Sequence, residues 1–267
     1  MSAPTLPDVG SDPRRLIRLD AVHNFRDLGG YPAADGRSTR WRTLFRADGL
    51  QRLAGDDLEL VRELGLRTVI DLRTDAELAE RGTFPHADHP VDFHHVPVID
   101  STWQHLDRLE ADDPVTFLEW AYHDMLRQGP SRFAQAIEQL SRADALPAVF
   151  HCAAGKDRTG VLAMLLLGSM GVPHEYIVAD YALTADGIAR MRVWAQREAP
   201  EMWARMADAP SAFMAAVPEA MFRVINTSPV SYKHLRAHET VLDLGCRLLL
   251  EKKNNTTTQT NRLQNIV

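Results

Sequence analysis

Apolar and polar positions along this chain alternate between the spacing of strands and the spacing of helices. Residues 146–150 form a short apolar run with the length of a buried strand, and residues 161–170 form a longer run with the length of a buried helix. Earlier in the chain, residues 56–64 have helical spacing with Gly65 as a stop signal, and residues 68–72 follow as a strand. The pattern therefore predicts repeated strand and helix units.

Further local signals continue this alternation. Thr74 and Glu77 have the spacing of a capping box that opens a helix, and residues 91–98 have the pattern of a strand. Asp113 and Pro114 predict the start of a helix that runs to about Gln128, and the next helix presents Phe133, Ile137 and Leu140 on its inner face. Alternating strands and helices predict the α/β class, with a central, mostly parallel sheet flanked by helices.

Composition and charge restrict the class of protein. The chain has 267 residues, of which 45% are hydrophobic and 25% charged, enough for one domain with a sizeable core. The net charge of −6 disfavours nucleic acid as a partner. We expect no stable membrane insertion and a cytoplasmic location, because the sequence has no long apolar run and no secretory signal pattern. Two cysteines argue against a disulfide framework, and the oligomeric state stays open.

The turn between the strand at 146–150 and the helix at 161–170 carries the chemistry. Cys152 and Arg158 lie six positions apart around Gly155, and unpaired amides at a helix start can surround a phosphate. The positive end of the helix favours an ionised thiolate, and a guanidinium matches two phosphoryl oxygens. The residues expected to bind the phosphoryl group are Ala153, Ala154, Gly155, Lys156, Thr159 and Gly160. A cysteine and an arginine at this spacing also occur by chance, but the flanking strand and helix favour the functional interpretation.

Residues 151–160 resemble the signature loop of cysteine-based phosphatases, in the Cys-x-x-Gly-Lys-x-Arg version of the lipid-active members. Residues 24–31, 44–47 and 69–73 resemble blocks of the bacterial tyrosine-phosphatase-like family, and the resemblance covers about residues 20–185. It implies the cysteine-phosphatase fold and hydrolysis of phosphotyrosine through a phosphocysteine, and phosphoserine, phosphothreonine and phosphoinositides are further candidate substrates. No cofactor and no metal is expected.

Three aspartates compete for the role of general acid. The resemblance implies an active role for Asp157, although an aspartate between two cations can instead order the loop. Asp100 follows a strand, but it lies far from Cys152 in the sequence and in no Trp-Pro-Asp motif, which favours a solvated turn. Asp71 is a third candidate donor, although an Asp-Leu-Arg at a strand end more often ties loops together through Arg73.

Other residues have both a functional and a structural interpretation. Arg26 and Arg46 occupy family positions near the pocket, and ion pairs explain such arginines equally well. Lys156 adds a charge that a polyphosphorylated inositol ring would use, whereas phosphotyrosine does not require it. A helical lid over the pocket is the alternative to core packing for Met191, Trp194, Met202, Trp203, Met206, Phe213, Met214 and Met221.

The chain divides into three parts. We expect a flexible N-terminus over residues 1–19, a phosphatase domain over residues 20–228, and a non-native or disordered tail over residues 229–267. Two alternative functions stay open beside the tyrosine phosphatase. One is a phosphoinositide or inositol phosphatase with weak protein activity, and the other is a phosphate-binding module without turnover.

Overall fold

The fold is centred on a mixed sheet of five strands. A computed structural model describes residues 5–101, 113–208, 214–227 and 250–252. The strands are β1 (Arg26–Asp27), β2 (Arg37–Thr39), β3 (Leu44–Ala47), β4 (Thr68–Asp71), β5 (Asp92–His95), β6 (Ala148–His151) and β7 (Leu250–Lys252). The sheet order is β1-β3-β6-β4-β5, and β3, β6, β4 and β5 are parallel while β1 is antiparallel. The predicted α/β class with a mostly parallel sheet is confirmed.

Helices connect and cover the strands. They are α1 (Gly55–Glu63), α2 (Asp75–Arg81), α3 (Pro114–Gln128), α4 (Pro130–Ser141), α5 (Asp157–Ser169), α6 (His174–Ala182), α7 (Thr184–Glu198), α8 (Pro200–Asp208) and α9 (Pro218–Thr227). The local start and stop signals are confirmed. Thr74 and Glu77 form the full capping box, Asp113 caps α3 with Pro114 in its first turn, and Gly65 has φ +68° after α1.

Some strands differ from the prediction. β5 covers only Asp92–His95 of the predicted residues 91–98, because its partner strand β4 ends at Asp71, opposite His95. The sequence pattern predicted no strand at β1, β2, β3 or β7. These strands have only two to four residues each, which leaves little periodicity to see. β2 and β7 form a separate antiparallel pair.

The core lies on both faces of the sheet. Along the central strand, Phe150 packs into the larger apolar cluster with α3, α4, α5, α6 and α9, whereas Val149 packs into the smaller cluster with α1. Side chains alternate between the two faces along a strand. Cys152 therefore lies on the same face as Phe150, in the larger cluster, and His151 lies on the opposite face with Val149. The alternation separates His151 from the thiol.

Two sequence expectations concern the molecule as a whole. None of the helices in the described part of the chain is long and apolar enough to cross a bilayer. The predicted tail falls outside the described residues except for the backbone of β7, and the proposed domain boundary at 228 therefore stays a prediction.

Candidate active site

The loop from Cys152 to Lys156 lies at the carboxyl end of the central strand β6, where α5 begins. Gly155 makes the turn, with φ +65°. A Cβ at this position would lie 2.6 Å from the carbonyl oxygen of Ala47, so no larger residue fits without displacing β3. The loop is therefore pressed against the neighbouring strand.

The carbonyl groups of the loop point away from its centre and are held from behind. Asn24 Nδ2 donates to the carbonyl oxygens of Ala154 and Gly155, both at 3.1 Å, and Arg46 Nη2 donates to Gly155 at 2.8 Å. Among the described residues, no acceptor takes the backbone amides of residues 153–155. Successive unpaired amides of this kind form a concavity that favours an anion.

A buried carboxylate fixes the arginines behind the loop. Asp180 on α6 pairs with Arg26 Nε at 2.9 Å and Arg46 Nη1 at 2.6 Å, and it accepts the Tyr31 hydroxyl at 2.9 Å. Burial alone would raise the pKa of Asp180, but the two guanidinium groups hold it far below its ordinary value. Arg26 and Arg46 are both fully buried in this network, and Arg46 also donates to the loop.

The sequence patterns assigned no role to Asp180. Its support for the loop was missed because its partners Arg26 and Arg46 come from distant strands. A carboxylate at a buried position of the apolar helix α6 was the available signal, since a buried charge requires a partner.

Arg158 is held by a carboxylate from another helix. Its Nη1 and Nη2 atoms donate to the two oxygens of Glu77 on α2, the Nη2 bond being 3.0 Å long. Burial would raise the pKa of Glu77, but the bonds and charge of Arg158 lower it to about 2. Burial would likewise lower the pKa of Arg158, but the charges of Cys152 and Glu77 raise it above its ordinary value. Cys152 and Arg158 are both buried.

Asp157 and Lys156 form an ion pair at the start of α5. Lys156 Nζ lies 2.7 Å from Asp157 Oδ1 as an ion pair, without the alignment of a hydrogen bond. The lysine is 1% exposed, and 24% of the Asp157 side chain is exposed. Burial would lower the pKa of Lys156, but Asp157 raises it, so the ammonium is retained. Its charge is thus balanced within the protein.

Thr159 and Gly160 lie in the first turn of α5. Thr159 Oγ1 is buried and has no hydrogen-bond partner among the described residues, so its hydroxyl is uncommitted. The Gly160 amide donates to the Lys156 carbonyl at 2.7 Å, inside the helix, and a Cβ on Gly160 would lie 3.1 Å from the ring of Tyr181. These contacts tie the Gly160 amide into the helix and leave its expected phosphate contact a prediction.

Asp71 is paired with Arg73 at the end of β4. Arg73 Nη2 donates to Asp71 Oδ2 at 2.6 Å and to the Gly82 carbonyl at 2.8 Å, and all of the Asp71 side chain is buried. Burial would raise the pKa of Asp71, but His151 and the bonds from Arg73 lower it. His151 Nε2 lies 3.6 Å from Asp71 Oδ2. The Asp-Leu-Arg segment thus ties loops together.

Asp100 lies at the surface after β5, where 81% of its side chain is exposed. Its Oδ1 accepts Arg132 Nη2 of α4 at 2.6 Å. This is the solvated position that the sequence favoured for Asp100.

The residues proposed for a lid divide between core and surface. Met191 and Met221 are buried, and the Trp194 ring lies 5.3 Å from that of His23. α8, which carries Met202, Trp203 and Met206, has no buried residue. Met214 is half-buried, and Phe213 lies outside the described residues.

No group of three or more His, Cys, Asp or Glu side chains able to hold a metal occurs in the described ranges.

Comparison with known proteins identifies the family of this chain. The sequence model described as the tyrosine phosphatase family matches residues 17–238. The chain belongs to this family. The match begins and ends outside the predicted domain of residues 20–228.

Three related proteins carry phosphatase names. A tyrosine-protein phosphatase of Cupriavidus necator is 34% identical over 63% of this chain and 62% of its own length. A tyrosine-protein phosphatase of Nostoc commune is 33% identical over 52% of this chain and 47% of its length. The triple specificity protein phosphatase PtpB of Mycobacterium tuberculosis is 31% identical over 65% of this chain and 71% of its length. The chain therefore spans less than two thirds of the first two relatives.

A solved structure of P. aeruginosa TpbA in complex with phosphotyrosine aligns with 74% of this chain and 99% of its own. The sequence identity is 18% and the TM-score 0.30, a likeness too distant to bear on the site.

Proposed function

We propose that this protein is a phosphoric monoester hydrolase that acts on phosphotyrosine through a phosphocysteine intermediate. The observation that carries the proposal is the loop of residues 152–158. Asn24 and Arg46 satisfy the carbonyl groups of Ala154 and Gly155, and no acceptor in the described part of the chain takes the amides of residues 153–155, next to Cys152 in the loop that leads to Arg158. This arrangement favours a bound phosphoryl group and stabilises the charge that develops during its transfer.

The first chemical step forms a bond between Cys152 Sγ and phosphorus while the bond from phosphorus to the ester oxygen breaks. Loop amides and Arg158 hold the phosphoryl oxygens, and Asp157 gives a proton to the departing oxygen. In the second step, Asp157 takes a proton from water, the water oxygen bonds to phosphorus, and the thiolate leaves. Inorganic phosphate is the product, and the enzyme returns to its starting state.

Asp157 is proposed as the acid because the other two candidates are engaged elsewhere. Asp71 is buried against Arg73, and Asp100 is paired with Arg132 at the surface. Asp157 lies in the first turn after the loop and keeps part of its side chain exposed. It is therefore the candidate that a leaving group bound by the loop can reach.

Substitution of the nucleophile and the arginine tests the proposal. Cys152→Ser and Arg158→Ala should each lower the rate on para-nitrophenyl phosphate by at least about a hundredfold, with an unchanged circular dichroism spectrum. Quenching of the wild type in acid during turnover of ³²P-labelled substrate should trap a phosphocysteine. Activity retained in the serine variant would overturn the mechanism. Tight phosphate binding without any wild-type turnover would instead identify a phosphate-binding module.

Substrate preference depends on Lys156. Because Asp157 balances its charge inside the protein, Lys156 is not a free cation for a second phosphate. We therefore expect Lys156→Ala to reduce turnover of phosphotyrosine peptides and phosphoinositides to a similar extent. A markedly larger loss on phosphoinositides would support the lipid phosphatase alternative. The relative named for triple specificity makes phosphoserine and phosphothreonine peptides a necessary part of this comparison.

A reducing compartment suits this mechanism, because Cys152 must stay a thiolate to act and oxidised thiols are not nucleophiles. This requirement supports the cytoplasm as the location.

A further inference from the structure

A buried hydrogen-bond chain joins two tyrosines to the carboxylate of Asp157. Tyr122 lies on α3 and Tyr181 on α6, and each is at most 1% exposed. Tyr122 Oη lies 2.7 Å from Asp157 Oδ1 and 2.6 Å from Tyr181 Oη. The two rings meet edge to face with centroids 6.1 Å apart. Both hydroxyl groups are therefore fixed beside the first turn of α5.

The direction of the protons in this chain follows from simple chemistry. Burial raises the pKa of Tyr122 well above its ordinary value, and the charge of Asp157 raises it further. Burial also raises the pKa of Tyr181. Both hydroxyls thus keep their protons, and an ionised carboxylate has none to give, so Tyr122 donates to Asp157. A hydroxyl has one proton, so Tyr181 donates to Tyr122.

The two oxygens of Asp157 consequently differ. Oδ1 accepts the Tyr122 hydroxyl and lies against the Lys156 ammonium. Oδ2 has no hydrogen-bond partner within the described part of the chain, although the side chain is partly exposed. One oxygen is anchored, and the other is available to a ligand in the loop.

Space filling alone does not account for the tyrosine pair. Phenylalanine would occupy the same volume at both positions without placing polar atoms in the core, where each requires a partner. Here the hydroxyls satisfy one another, and the chain ends on a charged group at the candidate site. The two hydroxyl groups therefore form a hydrogen-bonded chain that ends at Asp157.

We propose that Tyr122 is a positioning residue that anchors Asp157 Oδ1, with Tyr181 holding Tyr122, so that Asp157 Oδ2 exchanges the proton with the leaving group. This inference rests on the proposed function, because it deepens the acid role given there to Asp157. It assigns α3 and α6 a part in the proton transfer, although both helices lie outside the phosphate-binding loop.

The test compares a series of aryl phosphates. Phenyl phosphate has a poor leaving group, and para-nitrophenyl phosphate has an activated one. Tyr122→Phe should lower kcat on phenyl phosphate by about tenfold or more and on para-nitrophenyl phosphate by less than about threefold, because an activated leaving group needs little protonation. Tyr181→Phe should show the same selectivity with a smaller loss. Tyr176→Phe, a half-buried tyrosine of the same helix α6, is the matched control and should match the wild type.

Two further measurements separate positioning from packing. Loss of the Tyr122 donor disfavours the ionised carboxylate, so the basic limb of the kcat profile on phenyl phosphate should move to higher pH. In an Asp157→Asn background, Tyr122→Phe should add almost no further loss, since both changes remove the same function. If the role of Tyr122 were merely structural, the pH profile would stay in place and the losses of the two substitutions would add.

The outcomes distinguish this inference from the function on which it rests. If Tyr122→Phe and Tyr181→Phe show equal losses on all the aryl phosphates and an unchanged pH profile, the tyrosines only pack the core, and the inference is overturned. A selective loss in Asp157→Asn without one in Tyr122→Phe and Tyr181→Phe would also overturn it and leave Asp157 as the acid. A uniform loss in Asp157→Asn would overturn it together with the acid role. A trapped phosphocysteine would then still support the proposed function.

Discussion

Glu77 takes part in two structures that look separate in the sequence. Its Oε2 atom accepts the Thr74 amide at 2.9 Å as part of the capping box of α2, and the same carboxylate accepts both Nη atoms of Arg158. A residue that caps a helix thus also orients Arg158, the arginine proposed to bind the phosphoryl group. One side chain couples the stability of α2 to the geometry of the loop.

Glu77→Ala should lower kcat/KM on para-nitrophenyl phosphate by about tenfold to a hundredfold, because Arg158 loses the partner that fixes its plane. Glu77→Gln should give a smaller loss, since an amide oxygen can still accept from Thr74 and Arg158. Steady-state kinetics and melting temperatures measure the two effects. Glu80→Ala is the control, because Glu80 lies on the same helix and pairs with Arg205 at the surface. An unaltered kcat/KM in Glu77→Ala would contradict the orienting role.

At the scale of elements, three segments of the chain support the loop of residues 152–158. Residues of β3 lie against Gly155, Asn24 holds two loop carbonyls, and α6 provides Asp180 behind Arg46. The loop therefore has little freedom to relax when one contact changes. Preorganisation of this kind keeps donors in place before a substrate arrives.

Gly155→Ala should abolish most of the activity, with a loss of about a hundredfold or more, because the new Cβ would meet the backbone of Ala47 and Asp48. The left-handed φ adds a strain of about 1 kcal/mol. Gly36→Ala is a matched control, since Gly36 has φ +83° but a Cβ added there would meet no atom within 4 Å. We expect Gly36→Ala to lower the melting temperature slightly and to keep full activity. Similar activities for the two variants would show that the loop adapts.

The molecule as a whole depends on buried ion pairs, so its stability should fall in acid. The folded-state pKa of Glu77 is depressed from 4.5 to about 2, and that of Asp180 is depressed even further. A depressed carboxyl pKa stabilises the fold above the unfolded-state value, and this stabilisation is lost as the pH falls through the folded-state value.

Urea unfolding should therefore show a free energy of unfolding that decreases between about pH 4.5 and pH 2, with Glu77 contributing on the order of 2 kcal/mol. In Glu77→Gln the decrease over this interval should be smaller, because the titrating group is absent. Glu80→Gln, at an exposed position, serves as the comparison. A curve for Glu77→Gln that parallels the wild type would show that the ion pair with Arg158 does not stabilise the fold.

The boundary proposed at residue 228 leads to a prediction about the stability of the whole molecule. Removal of residues 229–267 should change the melting temperature by only a few degrees and preserve the phosphatase rate, because β7 pairs with β2 outside the five-stranded sheet. Differential scanning calorimetry and a para-nitrophenyl phosphate assay measure both. A large fall in the melting temperature would place these residues within the cooperative domain.

The sequence by itself determined the features that depend on neighbours in the chain. The capping box of Thr74 and Glu77, the stop at Gly65 and the start of α3 at Asp113 were predictable because backbone groups at helix ends find partners within a few residues. The strand, turn and helix around Cys152 were equally visible, since the apolar runs and Gly155 are contiguous.

Only the tertiary structure decided which distant groups meet. The pairs Glu77 with Arg158, Asp180 with Arg46, and Tyr122 with Asp157 join residues that no local pattern connects. The sequence left alternative roles open for Lys156, Asp71 and Asp100, although it favoured a solvated turn for Asp100 and a contact between loops for Asp71. The structure adds the ion partner of each side chain, which is Asp157, Arg73 and Arg132, respectively. A charged side chain removed from water must be paired, and the fold determines which partner lies within reach.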